Sequence, residues 1–222
     1  MSGLGGKFLD YLYPKQCLGC DLWFSFGGPK FLCSVCEGLT INTEPILQRS
    51  VEGAIVYSRF LYSNQVVAKT VQALKYEHIF DASEVCGDWV SQIFERFMPE
   101  ETIIVPVPLH VSRLSERGYN QAELICLAAT QGRAIPVKTN MLVRTRKTEY
   151  QALLNEENRR TNVANVFSVN GVCDPKVAYV IFDDVVTSGS TMGDCARALR
   201  AAGAQKIFGV TVASTQGDRV AL

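Results

Sequence analysis

The chain has 222 residues, 47% of them hydrophobic, and its 22 Lys+Arg balance 22 Asp+Glu. Zero formal charge argues against a protein that coats nucleic acid by bulk electrostatics and leaves only a local basic patch for such a role. The length admits one large domain, or a medium domain with a small appendage.

The opening segment MSGLGGKFLDYLYPKQ has one lysine, no sustained apolar stretch and an early Asp10, so it reads as neither signal peptide nor membrane span. With no export signal and free-looking cysteines, a cytoplasmic setting is expected. Cys17, Cys20, Cys33 and Cys36 follow as C-x2-C-x12-C-x2-C. Four thiolates on two knuckles suit a closed tetrahedral zinc, and that metal would supply the folding energy a module of this size lacks. Two disulfides or a redox C-x-x-C are the competing readings, which a cytoplasmic chain with both pairs outside the core disfavours. Trp23, Phe24 and Phe26 lie between the pairs, with Tyr11, Tyr13 and Lys15 before them; they serve either as the knuckle's own small core or as a stacking face for unpaired bases. Cys86, Cys126, Cys173 and Cys195 stand singly in apolar contexts and read as core residues.

Residues 37–50 lose periodicity and read as a linker. Then AIVYSRFLY predicts a strand, VVAKTVQALKY a helix, and DASEVCGDWVSQIFERFM a helix with Val85, Trp89, Ile93 and Phe97 inward. ETIIVPVPL begins as a buried strand that Pro106 and Pro108 end. A loop bearing Arg113 and Arg117 precedes a helix over about 120–130; forked arginine donors suit phosphate oxygens, although two solvated surface arginines would look the same. A strand is expected near 136–143. The segment 144–170 is polar, carries Arg144, Arg146, Lys147, Arg159 and Arg160, and is long for a connection inside a compact domain, which suits a lid or binding loop. The last units are strand 177–182, helix 191–202 with Met192, Cys195, Ala196 and Leu199 on one face, and strand 206–212. Such alternation predicts an α/β fold with a mostly parallel sheet and helices on both faces.

The most informative stretch is VIFDDVVTSGSTM, Val180–Met192. Asp183 and Asp184 fall where the strand is expected to end, and Thr187, Ser188, Gly189, Ser190 and Thr191 lead into the helix. Hydroxyls, a glycine that lets backbone N–H groups approach, and a helix N-terminus together suit a phosphate. Ionised aspartates accept hydrogen bonds only, so they suit ribose hydroxyls instead. The combination argues for a ribose 5-phosphate; an acidic turn capped by hydroxyl residues is the plainer alternative. Neither a Walker loop nor a dinucleotide fingerprint is present. His78 and His110 have no partner at a diagnostic spacing.

VIFDDVVTSGST resembles the 5-phosphoribosyl 1-pyrophosphate (PRPP) signature of type I phosphoribosyltransferases. With VPVPLHVSRLSERGYNQAELI, RTRKTEYQALLNEENRRTNVANVF and the cysteine pairs, almost the whole chain is similar to the ComF family, linked to bacterial natural competence. That resemblance implies a zinc-finger-like module over 1–45 and a phosphoribosyltransferase-like domain over 46–222. It implies PRPP or a related ribose phosphate, bound with Mg²⁺, as ligand. Asp183 and Asp184 would hold the ribose, Thr187 to Thr191 the 5-phosphate, and Arg113 and Arg117 the leaving pyrophosphate. Lys75 matches a lysine of the family pattern, and Arg144, Arg146, Thr148, Gln151, Leu154, Arg159 and Asn162 match a basic block that would close over the site. Asn165 and Val166 replace the family's usual Gly-Ala. Two functions stay open. One is PRPP binding in DNA uptake and natural transformation, with single-stranded DNA and DNA-uptake proteins as partners. The other is a metabolic transferase of the pentosyl group to an unidentified acceptor.

Overall fold

The structure is a computed structural model that describes residues 15–24, 31–40, 46–144 and 166–220. Arg146, Lys147, Thr148, Gln151, Leu154, Arg159, Arg160, Asn162 and Asn165, together with Tyr11, Tyr13 and Phe26, lie outside the described residues. The N-terminal part contributes short strands β1 (Lys15–Gln16) and β2 (Trp23–Phe24), paired antiparallel, and helix α1 (Ser34–Gly38).

The stretch read as a linker contains a strand. β3 (Ile46–Val51) pairs antiparallel with β4 (Ala54–Leu61) through a two-residue turn, Glu52–Gly53. Both turn residues have positive φ, 48° and 71°, the backbone that matches a hairpin's twist. The sequence ILQRSV alternates only weakly, which hides the strand from a periodicity argument.

α2 (Gln65–Tyr76) starts at Asn64, whose side-chain oxygen accepts from the Val66 and Val67 N–H groups. That satisfies two of the N–H groups a helix start leaves unpaired. α3 (Asp81–Phe97) buries Val85 and Ile93 as expected, while Trp89 and Phe97 are half-buried against Phe60 and Tyr57. β5 (Thr102–Pro106) follows, then α4 (Val111–Arg117). This short helix corrects the loop expected around Arg113 and Arg117. It buries none of its residues, so no apolar period announces it; His110 caps its start and Gly118, at φ 79°, closes it.

α5 (Gln121–Ala129) lies where it is expected. The strand expected over 136–143 reduces to a single bridge, Val137 to Ile104, and a turn at Thr139–Asn140 separates it from β6 (Leu142–Arg144). β6 pairs with β7 (Phe167–Val169) in a small antiparallel arm. β8 (Ala178–Val186), α6 (Ser190–Ala201), β9 (Lys206–Ser214) and β10 (Asp218–Val220) complete the described chain.

The main sheet runs β10-β3-β4-β9-β8-β5, parallel from β4 through β9 and β8 to β5. One face packs on α2, α3 and α5 through Val180, Phe182, Val210 and Val212. The other packs on α6, where Met192, Cys195, Ala196 and Leu199 meet Ile181 and Ile207. Helices therefore cover both faces of a mostly parallel sheet, as the alternation predicts. Cys86, Cys126, Cys173 and Cys195 are all core residues. Among the described residues no helix is long and apolar enough to cross a membrane.

Candidate functional site

β8 does not end at its acidic pair. β9 continues beside it, pairing Asp183 with Thr211, Val185 with Ala213 and Val186 with Ser214. Both aspartates are therefore in extended backbone, and successive strand residues face opposite sides of the sheet. Asp183 lines a small cavity with Thr187, Gly189, Ser190, Thr191 and Met192 on the α6 side. Asp184, only 3% exposed, faces the other way and meets Lys75, with Oδ2 2.7 Å from Nζ.

These placements set the charges. Burial, reinforced by the Asp184 carboxylate, pushes Asp183 up to about 8, even though part of its side chain still reaches the surface of the cavity. For Lys75 burial acts to lower the pKa, but Asp184 and then Asp183 more than offset it, and the ammonium is raised. Lys75 thus lies against the acidic pair.

The hydroxyl loop leads into α6. Gly189 has φ 86° and is buried under Val51 and Arg49: a Cβ there would lie 3.0 Å from Val51 Cγ2. The left-handed backbone and the close approach both require glycine. Arg49 on β3 donates from Nη1 to the Thr187 carbonyl at 2.7 Å and from Nη2 to the Ser188 carbonyl at 3.0 Å. A trans peptide sets its C=O and N–H on opposite sides. Pinning those two carbonyls therefore turns the Ser188 and Gly189 N–H groups away from Arg49. Thr187, Ser188 and Ser190 remain exposed. Arg49 was missed because its strand was read as a linker; an arginine between Gln48 and Ser50 carries no signal of its own.

The arginines of α4 differ. Arg113 is exposed on the helix. Arg117 donates to the Gln121 side-chain oxygen at 2.5 Å and lies over the Tyr76 ring at 5.5 Å, beside the end of α2 that carries Lys75. Arg144, at the end of β6, sits 5.5 Å over the Phe167 ring, where the described chain meets residue 145. His110 and Asn120 serve as helix caps, which accounts for two polar residues of this block without chemistry.

At the N-terminus the Cys17, Cys20, Cys33 and Cys36 sulfurs all lie within 4.8 Å of one another. Tetrahedral zinc–sulfur bonds of about 2.3 Å place sulfurs roughly 3.8 Å apart, so the cluster fits one zinc ion with no position left open. Cys33 N–H and Gly19 N–H already point at Cys17 Sγ. Burial pushes the Cys36 thiol up, while the Cys36 backbone N–H brings Cys33 down to about 7. The cluster packs on α2: a Cβ on Gly19 would meet Cys36 Sγ at 2.8 Å and Val66 Cγ1 at 2.9 Å. Leu22 and Trp23 are left exposed, 66% and 65%.

Competence protein F of Haemophilus influenzae is 32% identical over 158 residues, covering 69% of this chain and 64% of that protein. The chain is a homologue of the ComF proteins. Competence protein ComFC of Bacillus subtilis is 25% identical over 180 residues, 78% of this chain and 69% of the relative. DNA utilization protein YhgH of Escherichia coli K12 is 35% identical over 104 residues, 47% and 45% respectively. The chain therefore spans about two thirds or less of the first of these relatives and under half of the last. No family model matches it. A crystal structure of a purine phosphoribosyltransferase from Pyrococcus horikoshii Ot3 overlaps 63% of this chain and 93% of its own at 12% identity and a TM-score of 0.32, too loosely to bear on chemistry.

The raised Asp183 has a definite sign in stability. Its native pKa of about 8 exceeds the ordinary unfolded value, so between pH 4 and 8 the native state holds a proton that the unfolded chain has released. Stability should fall as pH rises through this window. Asp183→Asn should flatten that slope and gain roughly 1–2 kcal/mol at pH 9, discounted for the partial exposure. Urea unfolding of both proteins from pH 5 to 9 checks it; parallel curves would count against the assignment.

Proposed function

We propose that this ComF homologue binds PRPP with Mg²⁺ at the Asp183–Thr191 strand-loop-helix and acts in DNA uptake during natural transformation. The observation that supports it best is the pairing of a buried Asp184–Lys75 couple with a loop whose carbonyls are held back by Arg49. Acidic acceptors and phosphate donors then lie in sequence along one strand end.

In this reading Thr187 to Thr191 clamp the 5-phosphate with hydroxyls and N–H groups at the start of α6. Asp183 and Asp184 accept from the ribose hydroxyls, with Asp184 oriented by Lys75. Arg113 and Arg117 take the pyrophosphate charge, and Arg144 with Arg146 adds cations from the basic segment. Mg²⁺, when bound with the diphosphate, would neutralise part of its charge beside Arg113 and Arg117. If turnover occurs, the bond from ribose C1 to the pyrophosphate oxygen breaks with its electrons on pyrophosphate, and an acceptor's lone pair closes on C1. The chain's contribution is position and electrostatic stabilisation. Transfer to a metabolic acceptor is the second reading of the same site.

Calorimetric titration of PRPP with and without Mg²⁺ tests the first step. Binding should require magnesium and weaken at least tenfold, about 1.4 kcal/mol, in Asp183→Asn, Asp184→Asn and Arg49→Ala. Undiminished affinity in folded variants would remove the assignment. Acceptor-dependent pyrophosphate release would favour the metabolic reading.

The cysteine cluster holds structural zinc in this proposal. Purified protein should carry one zinc per chain, and Cys20→Ser should lose it with at least about 3 kcal/mol of stability, whereas Cys86→Ser keeps it. Metal analysis and denaturant unfolding read both quantities.

Exposed Trp23 makes the same module the contact for single-stranded DNA, by stacking on unpaired bases. Retention of an oligothymidylate should fall steeply with added salt and several-fold in Trp23→Ala. Absence of retention at low salt would leave DNA uptake without this contact.

A further inference from the structure

The cysteine module and α2 enclose a cleft that shares no residue with the phosphate-type loop. Leu18 and Ala73 are buried at its base. Gln16, Asp21, Lys69, Gln72 and Glu77 are exposed around its mouth. Its volume is about 180 Å³, below the roughly 300 Å³ at which pockets for whole small molecules begin. It has room for the edge of one planar ring.

Two features connect this cleft to Trp23. Gln16 and Trp23 are direct partners across the β1–β2 pair, and such partners stand on the same face of a ribbon. The Trp23 ring, 65% exposed, therefore borders the cleft that Gln16 lines. The Gln16 amide also donates to the Asp21 carbonyl at 2.9 Å, which fixes it over the mouth. Asp21 itself follows Cys20 at φ 62°, in a left-handed backbone that favours glycine. A carboxylate stands there instead, and it meets the Lys69 ammonium. Both members of that pair are open to water, which screens it, so Lys69 is held only weakly.

A base stacked on Trp23 would turn its edge toward these groups. Asp21 and Glu77 only accept hydrogen bonds, Lys69 only donates, and Gln16 and Gln72 do both. Two carboxylates against one ammonium leave the rim short of donors. An exocyclic amino group supplies them, as when a carboxylate accepts from cytosine N4, whereas thymine sets carbonyl lone pairs in that place.

We propose that this cleft reads the edge of one unpaired base stacked on Trp23 and selects bases that carry an exocyclic amino group, cytosine before thymine. The proposal rests on the single-strand contact assigned to Trp23 and adds a base preference to it. The amino group takes the place of Lys69 on Asp21, and the released ammonium turns to the neighbouring phosphate.

The test measures fluorescence anisotropy of labelled oligodeoxycytidylate, oligothymidylate and oligodeoxyuridylate of equal length on the zinc-loaded full chain, at low salt and at a mildly alkaline pH that keeps cytosine unprotonated. The cytidylate should bind at least about fivefold tighter than the thymidylate. The uridylate, which lacks only the thymine methyl group, should behave like the thymidylate. Asp21→Asn, which accepts the left-handed backbone, and Gln72→Ala, which lies on α2 away from the cysteines, should each cost most of that preference with one zinc per chain retained. Trp23→Ala should weaken all three oligomers. Equal binding of cytidylate and thymidylate by the wild type, or a preference that survives both cleft variants, overturns the cleft and leaves the Trp23 contact standing. Uridylate bound as tightly as cytidylate also overturns it, because exclusion of a methyl group would then set the preference. If Asp21→Asn loses its zinc, Gln72→Ala decides. No binding of any oligomer removes the single-strand contact and the cleft with it.

Discussion

Two carboxylates in adjacent positions near the end of a central strand are the constraint on which the site is built. Side by side and largely out of water, both cannot be ionised without help. The strand's alternation separates them onto opposite faces, and each face answers differently. Lys75 neutralises Asp184 at 2.7 Å on the helical face. Asp183, on the loop face, is pushed up to about 8 by burial and its neighbour. Removing one member of such a buried pair leaves the other charge uncompensated, typically at a penalty of about 3–5 kcal/mol. The pairing therefore fixes where the last turn of α2 sits on the sheet, alongside the apolar contacts of Val67, Val71 and Leu74.

The phosphate-type loop depends on a neighbour remote in sequence. Arg49 is 138 residues from Thr187, yet its guanidinium accounts for two loop carbonyls. Val51, two residues on and on the same face of β3, presses on Gly189. The hairpin turn at Glu52–Gly53 fixes that register, since shifting β3 by one residue would turn both side chains to the other face. Loop conformation is thus set by an antiparallel addition to the parallel sheet.

α2 links the two ends of the molecule. Its first turns carry Val66 against the cysteine cluster, its last turn carries Lys75 to Asp184, and Tyr76 lies beneath Arg117. The cluster's sulfurs are buried partly by this helix, so metal loading and the seating of α2 share contacts. Three pieces of chemistry therefore meet on one twelve-residue helix.

Local signals in the sequence determined much of this. Buried parallel strands, amphipathic helices with capping residues, the paired knuckles and the hydroxyl loop are each encoded within a dozen or so residues, by periodicity, spacing or residue type. The elements that escaped have no such code: β3 alternates weakly, α4 buries nothing, and the stretch near Val137 reads as a strand but pairs for one residue only. The site itself divides the same way. Asp183, Asp184 and Thr187 to Thr191 fall within nine consecutive residues and could be named from the chain. That the two acids face apart, that Asp184 is held by Lys75, that Arg49 turns the loop and that Arg117 lies over Tyr76 were decided only by tertiary structure, because strand pairing and helix packing bring together side chains that no sequence spacing relates.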